Sequence, residues 1–122
     1  MILADTSIWI DHFRSGNKEL GKNLDQGNVV IHPFITAELA LGSLRERAAT
    51  LALLDLLPKA RVAQMSEVRH MIETRRLCNL GIGLTDAHLI ASVFINASTL
   101  LWTRDKRLRK VAEGLGIHAR LA

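Results

Sequence analysis

Four carboxylates in this 122-residue chain stand where carboxylates are expensive. Asp5 closes the apolar opening Met1-Ile-Leu-Ala4. Glu38 is the only formally charged side chain between Asp25 and Arg45, inside Ile35-Thr-Ala-Glu-Leu-Ala-Leu41. Asp86 is the only one between Arg76 and Arg104, at the head of the most apolar helical pattern in the chain. Asp105 follows the run Thr99-Leu-Leu-Trp-Thr103, in the tripeptide Thr103-Arg-Asp105. Burying an unpaired carboxylate costs several kcal/mol even after relaxation. Asp5, Asp86 and Asp105 each stand where a helix begins and could act as caps. Glu38 has no such role, because in mid-helix it shares a face with Phe34 and Leu41.

Carboxylates gathered in one pocket repel, and a cation lets them stay ionised together. An oxygen-only ligand set favours a hard ion, Mg²⁺ or Mn²⁺. His32 and His88 are the histidines placed to join such a set, and each reads more readily as a packing or supporting residue. An ion held this way lowers the pKa of a bound water, orients it for in-line attack and offsets charge on a phosphodiester.

Composition favours such a substrate. The formal net charge is +4 and the sequence pI about 9.8, which suits an anionic partner, nucleic acid first. Arg104, Lys106 and Arg107, with Arg109 and Lys110 behind them, adjoin Asp105 and are candidates to hold a nucleic-acid backbone; a solvated helix face is the plain alternative. Arg75 and Arg76 are weaker candidates. Tyrosine is absent, so recognition is expected to rest on shape and backbone more than on stacking. Cys78 is alone, which excludes an intrachain disulfide framework and points to a reducing cytoplasm. No apolar run reaches membrane-span length and no signal peptide is expected.

The elements that must bring the acids together alternate between strand and helix. Strands are expected at Met1–Ala4, Val29–His32, Arg61–Ala63 (weak), Thr99–Thr103 and, at the edge, Ile117–Arg120. Between them fall helices at Thr6–Phe13, Lys18–Gln26, Phe34–Leu41 with Pro33 in its first turn, and Arg45–Leu57, stopped by Pro58. Ser66 is expected to cap a further helix, Thr85 one running to about Ala97, and Asp105–Gly114 forms a basic last helix. The alternation implies an α/β domain over residues 1–122 with a parallel sheet covered by helices on both faces. If the first and fourth strands are neighbours where the strand order reverses, Asp5, Asp86 and Asp105 meet in one crevice, with Glu38 reaching in from the side.

At these residues the chain resembles the PIN-domain nucleases, and among them the VapC-type toxins of bacterial toxin–antitoxin pairs. The matching stretches are Leu3-Ala-Asp-Thr-Ser-Ile-Trp-Ile10, Ile35-Thr-Ala-Glu-Leu-Ala-Leu-Gly42, Leu84-Thr-Asp-Ala-His-Leu-Ile-Ala91 and Leu101-Trp-Thr-Arg-Asp-Lys-Arg-Leu108. The resemblance implies a three-layer fold with a central parallel sheet in the order 3-2-1-4-5, and an endoribonuclease using Mg²⁺ or Mn²⁺. It implies Asp5 and Asp86 as principal metal ligands, Glu38 as completing the first metal's shell directly or through water, and Asp105 as helping to hold that metal or a second one. Ser7 and Thr103 match hydroxyls that hydrogen-bond to the acids. It also implies a homodimer, a VapB-like antitoxin that covers the active site, and operator DNA bound only through that antitoxin. Two departures, Leu108 where an aromatic is frequent and Trp102 for a smaller aliphatic, remove no ligand.

Two other readings of the same residues differ in kind. A PIN nuclease of RNA processing would share the chemistry without the toxin role. A non-catalytic RNA-binding or assembly module would bind RNA equally with or without divalent ion. A phosphotransfer or receiver protein is disfavoured, because Asp5-Thr-Ser7 lacks a second acid and Arg61–Ala63 has no aspartate nearby.

Overall fold

Three short parallel strands form one sheet in the computed structural model, which describes residues 1–121. In chain order the elements are β1 (Ile2–Ala4), α1 (Thr6–Ser15), α2 (Lys18–Asp25), β2 (Val29–Val30), α3 (Pro33–Leu41), α4 (Arg47–Asp55), α5 (Met65–Thr74), α6 (Leu84–Ile95), β3 (Leu100–Trp102) and α7 (Lys106–Gly114). No helix of the described residues is long and apolar enough to cross a membrane.

β1 occupies the centre of the sheet. Its three residues are all buried, the continuous apolar signature of a parallel strand covered on both faces. On one side Ile2 and Leu3 align with Val29 and Val30 of β2; on the other, Ile2, Leu3 and Ala4 align with Leu100, Leu101 and Trp102 of β3. The order β2-β1-β3 therefore reverses at β1, and the carboxyl ends of β1 and β3 lie side by side. That edge is where an open α/β sheet leaves a crevice.

Beyond each outer strand the sheet continues only as a single parallel bridge, Ile31 to Lys59 and Leu101 to His118. These bridges occupy the outer positions of the expected 3-2-1-4-5 order, so that order is met in its central three strands. The expected strand at Arg61–Ala63 is not one. The backbone N–H of Arg61 donates to Asn96 Oδ1 at 3.1 Å, and its carbonyl accepts from Ser92 Oγ at 2.5 Å, so side chains of α6 and its C-cap take the groups a ladder would use. Pairing with Ile31 has already occurred two residues earlier, through Pro58 and Ala60.

α4 starts at Arg47, two residues after the expected Arg45, whereas α5 and α6 start early. α6 is capped at Gly83 and begins at Leu84, one residue ahead of Thr85. α5 begins at Met65, with Glu67 reaching back to the N–H of Gln64 at 2.9 Å, so Ser66 lies inside the first turn. In both helices a third-position acid satisfies an orphan backbone donor, which moves the start ahead of the hydroxyl residue.

α1 packs on α2 and α3, α3 on α4, and α5 on α6; β1 contacts α1, and β3 contacts α6. In α6 every residue from Ala87 to Val93 is buried, as its nearly all-apolar sequence requires. α7 is amphipathic instead, burying Leu108, Val111 and Ala112 beneath an outer face of lysine and arginine.

Candidate active site

The crevice at the carboxyl ends of β1 and β3 is a pocket of about 280 Å³ walled by Asp5, Glu38, Asp86 and Asp105. Thr6 and Ser7 complete its polar lining, and Ile10, Ile35 and Leu89 form the apolar part. Each acid arrives from a different element. Asp5 follows β1 and caps α1, Glu38 comes from the middle of α3, Asp86 from the first turn of α6, and Asp105 follows β3 as the N-cap of α7. Cap and pocket wall are thus one residue at both Asp5 and Asp105.

Asp5 is the most deeply held, at 6% exposure. Its Oδ1 accepts from the backbone N–H of Ser7 at 2.9 Å and from the Ser7 hydroxyl, and its Oδ2 from Thr103 Oγ1 at 2.5 Å. Both hydroxyls are themselves fixed by the turn between β3 and α7. Ser7 Oγ accepts from the N–H of Arg104 at 3.1 Å, and Thr103 Oγ1 from the N–H of Asp105 at 3.0 Å. Each N–H therefore determines which way a hydroxyl proton points, and both protons point at Asp5. Burial still raises the Asp5 pKa above 3.8; the hydrogen bonds from Ser7, Thr103 and the backbone oppose it without prevailing.

Asp86 is also raised above 3.8, first by burial and then, against a hydrogen bond from Gly83, by the charges of Asp105, Asp5 and Glu38. The four carboxylates therefore repel one another across the pocket. Each is drawn toward a partner of its own: Glu38 Oε1 accepts from Thr6 Oγ1 at 2.6 Å, Asp86 from Gly83 N–H at 3.3 Å, and Asp105 from Leu108 N–H at 2.9 Å. In these positions no three His, Cys, Asp or Glu side chains among the described residues converge tightly enough to hold an ion. The donor chemistry nevertheless suits a hard divalent cation. All donors are oxygens, and mutual repulsion is what such an ion relieves as the side chains turn inward.

Thr6 is the polar wall residue whose partner the sequence did not indicate: its hydroxyl serves Glu38 across the α1–α3 contact instead of the helix start. The basic residues that adjoin Asp105 in sequence do not line the pocket. Arg104 turns to Asp11 at 2.9 Å, Arg107 lies against the backbone of Gly81, and Lys106 is exposed on α7. His32 and His88 lie outside the pocket, buried in ring contact with Phe34.

The chain is thus an α/β fold whose parallel sheet reverses at its first strand, with acids from four elements at its carboxyl edge. The PIN domain family profile matches residues 2–114, and the chain belongs to that family. Among curated proteins it is similar to "Ribonuclease VapC32" of Mycobacterium tuberculosis, in strains CDC 1551 / Oshkosh and ATCC 25618 / H37Rv. Each is 40% identical over 117 residues, covering 96% of this chain and 94% of the relative.

Proposed function

We propose that this chain is a divalent-metal-dependent endoribonuclease and the toxin of a VapBC-like pair, with residues 1–122 acting as one PIN domain in the cytoplasm. The family membership and the likeness to a VapC ribonuclease support the class of activity. The observation that carries the mechanism is the convergence of Asp5, Glu38, Asp86 and Asp105 on one pocket. In this reading Asp5 and Asp86 are the principal ligands of Mg²⁺ or Mn²⁺, Glu38 binds directly or through water, and Asp105 completes the set. When held there, the ion supplies activation of water and offset of charge on the attacked phosphate.

The chain's own residues supply the geometry. Ser7 and Thr103 occupy both oxygens of Asp5 with fixed donors, so its carboxylate keeps one orientation. Ile35 and Leu89, both fully buried, form the apolar wall beside Asp5 and strengthen the charge interactions on that side of the pocket. The proposed partners are RNA as substrate, a second copy of the chain as homodimer, and a VapB-like antitoxin over the active site, through which operator DNA is reached.

The test is cleavage of total RNA by the purified protein with Mn²⁺ or Mg²⁺, with EDTA, and with Asp5→Asn as control. Discrete cuts that need the ion and disappear in the variant are expected. Activity that survives EDTA contradicts the metal mechanism. A short neighbouring gene encoding a DNA-binding N-terminus, whose product silences the cleavage, is the outcome expected for the toxin role.

A further inference from the structure

The two hydroxyls that hold Asp5 are themselves set by the tripeptide Thr103-Arg104-Asp105. Thr103 Oγ1 donates to Asp5 Oδ2 at 2.5 Å, the Arg104 N–H donates to Ser7 Oγ at 3.1 Å, and Asp105 is the fourth acid of the pocket. The side chain of the middle residue ties this turn to α1: Arg104 Nη1 lies 2.9 Å from Asp11 Oδ2. Ser7 and Asp11 are one turn apart on α1, on a single face. Arg104 therefore grips α1 at two levels about 6 Å apart along the axis, its backbone at Ser7 and its guanidinium at Asp11.

Asp11 has a fixed direction of its own. The oxygen that meets Arg104 also accepts from Asn17 Nδ2 at 3.0 Å. Asn17 is buried, caps α2 by accepting the N–H of Leu20 at 2.9 Å, and donates its backbone N–H to His12 Nδ1 at 3.0 Å. The acceptor for Arg104 is thus built into the junction of α1 and α2. Neither Asp11 nor Arg104 lines the acid pocket. Their side chains are 29% and 44% exposed, and a pair so exposed contributes little to stability. Its consequence is the orientation of the turn.

We propose that Asp11 and Arg104 are positioning residues for the acid pocket. Their ion pair fixes the turn between β3 and α7 on α1, so that the Ser7 and Thr103 hydroxyls keep aiming at Asp5 and Asp105 keeps facing the pocket. The inference rests on the divalent-cation reading of that pocket. It gives Arg104 a use other than holding an RNA phosphate, which its adjacency to Asp105 suggests. Charge acting at a distance makes a different prediction for the same residues. Neutralising Asp11 would then weaken cation binding, and neutralising Arg104 would strengthen it. Positioning makes both changes act in one direction, because each breaks the same pair.

The experiment is a double-mutant cycle on the full chain: Asp11→Asn, Arg104→Gln and the two together. It is read by calorimetric titration of Mn²⁺, thermal melting and steady-state cleavage of RNA across a salt series. Each single variant is expected to weaken Mn²⁺ binding and lower kcat about fivefold, less than the roughly 10- to 100-fold of a residue bonded directly to a ligand. The double variant should be no worse than either single one. KM should stay nearly constant, and all three variants should melt within about 5 °C of the unsubstituted protein. Opposite shifts in Mn²⁺ affinity for the two single variants overturn the proposal in favour of a field effect. A loss confined to Arg104→Gln, with KM raised and its salt slope shallower by about 0.7, overturns it in favour of a phosphate contact. A loss that merely follows a large fall in melting temperature reduces the pair to support of the fold and overturns it too. Unchanged Mn²⁺ affinity and kcat in all three variants defeats the proposal while leaving the cation site standing. If the unsubstituted protein binds no Mn²⁺, the reading beneath the proposal fails with it.

Discussion

Helices α3 and α6 each present a titratable side chain to two different places, one an open pocket and the other buried, and the two places treat charge in opposite ways. Glu38 and Asp86 face the acid pocket, while His88 packs with Phe34 and with His32, the N-cap of α3. Asp86 and His88 are two residues apart, about 200° around the helix, so one helix serves both. In the acid pocket the carboxylates keep polar partners and repel one another, a state that calls for a ligand from outside. In the histidine cluster His32 is fully buried, and His32 Nε2 and both nitrogens of His88 lack a hydrogen-bond partner. Burial, helped by the neighbouring His88, lowers the His32 pKa to about 4, so the ring is neutral at pH 7 and packs as an apolar body. Buried titratable groups therefore do not mark a functional site by themselves; open volume and unrelieved like charge distinguish the one from the other.

The contrast can be broken most severely at Asp5. Asp5→Asn or Asp86→Asn is expected to reduce RNA cleavage to the level of buffer alone, while the melting temperature stays equal or rises because repulsion and the cost of buried charge are relieved. A cleavage assay and a thermal melt on the same preparation check both halves. The sign follows from the shift: a raised carboxylate pKa penalises the folded state above that pKa, and the penalty is relieved as pH falls through it toward 3.8. Thr103→Val comes next. It removes the donor to Oδ2 and the bridge to the N–H of Asp105, and is expected to lower metal affinity and cleavage by about 10- to 100-fold.

The histidine side moves the other way with pH. Unfolded His32 takes up a proton below 6.5, whereas folded His32 stays neutral until about 4. Stability is therefore complete above 6.5 and is lost across that window, by something on the order of 3 kcal/mol if this group acts alone. His32 Nδ1 also accepts from the N–H of Phe34 at 3.0 Å, a cap that asparagine can supply. His32→Asn should flatten the pH dependence of urea midpoints between pH 6.5 and 4 while leaving cleavage nearly unchanged. Ser7→Ala is the smallest change expected at the acid pocket, a few-fold loss of cleavage, because the Ser7 backbone N–H still holds Asp5 Oδ1.

Much of this was legible before any coordinates. An apolar run buried on both faces reads directly from Ile2-Leu3-Ala4 and Leu101-Trp102, and a lone acid in an apolar segment advertises its own cost. What could not be read are choices between equally suitable partners. Arg61-Val62-Ala63 has strand composition, but Ser92 and Asn96, some thirty residues away, claim the backbone of Arg61. Thr6 and Ser7 look interchangeable next to Asp5, yet one serves Glu38 and the other Asp5, because they face different neighbours around the first turn of α1. Arg104 is adjacent to Asp105 in sequence and turns instead to Asp11, one helix away. Hydrophobic pattern determines elements and cost; hydrogen-bond direction depends on tertiary neighbours.

The central claim is that Asp5, Glu38, Asp86 and Asp105 form one divalent-cation site. Calorimetric titration of Mn²⁺ into the unsubstituted protein and into Asp5→Asn tests it without relying on a substrate. Saturable binding by the former and none by the latter, with both proteins folded, is the result expected. Equal Mn²⁺ affinity in the two proteins, or none in either, would contradict it.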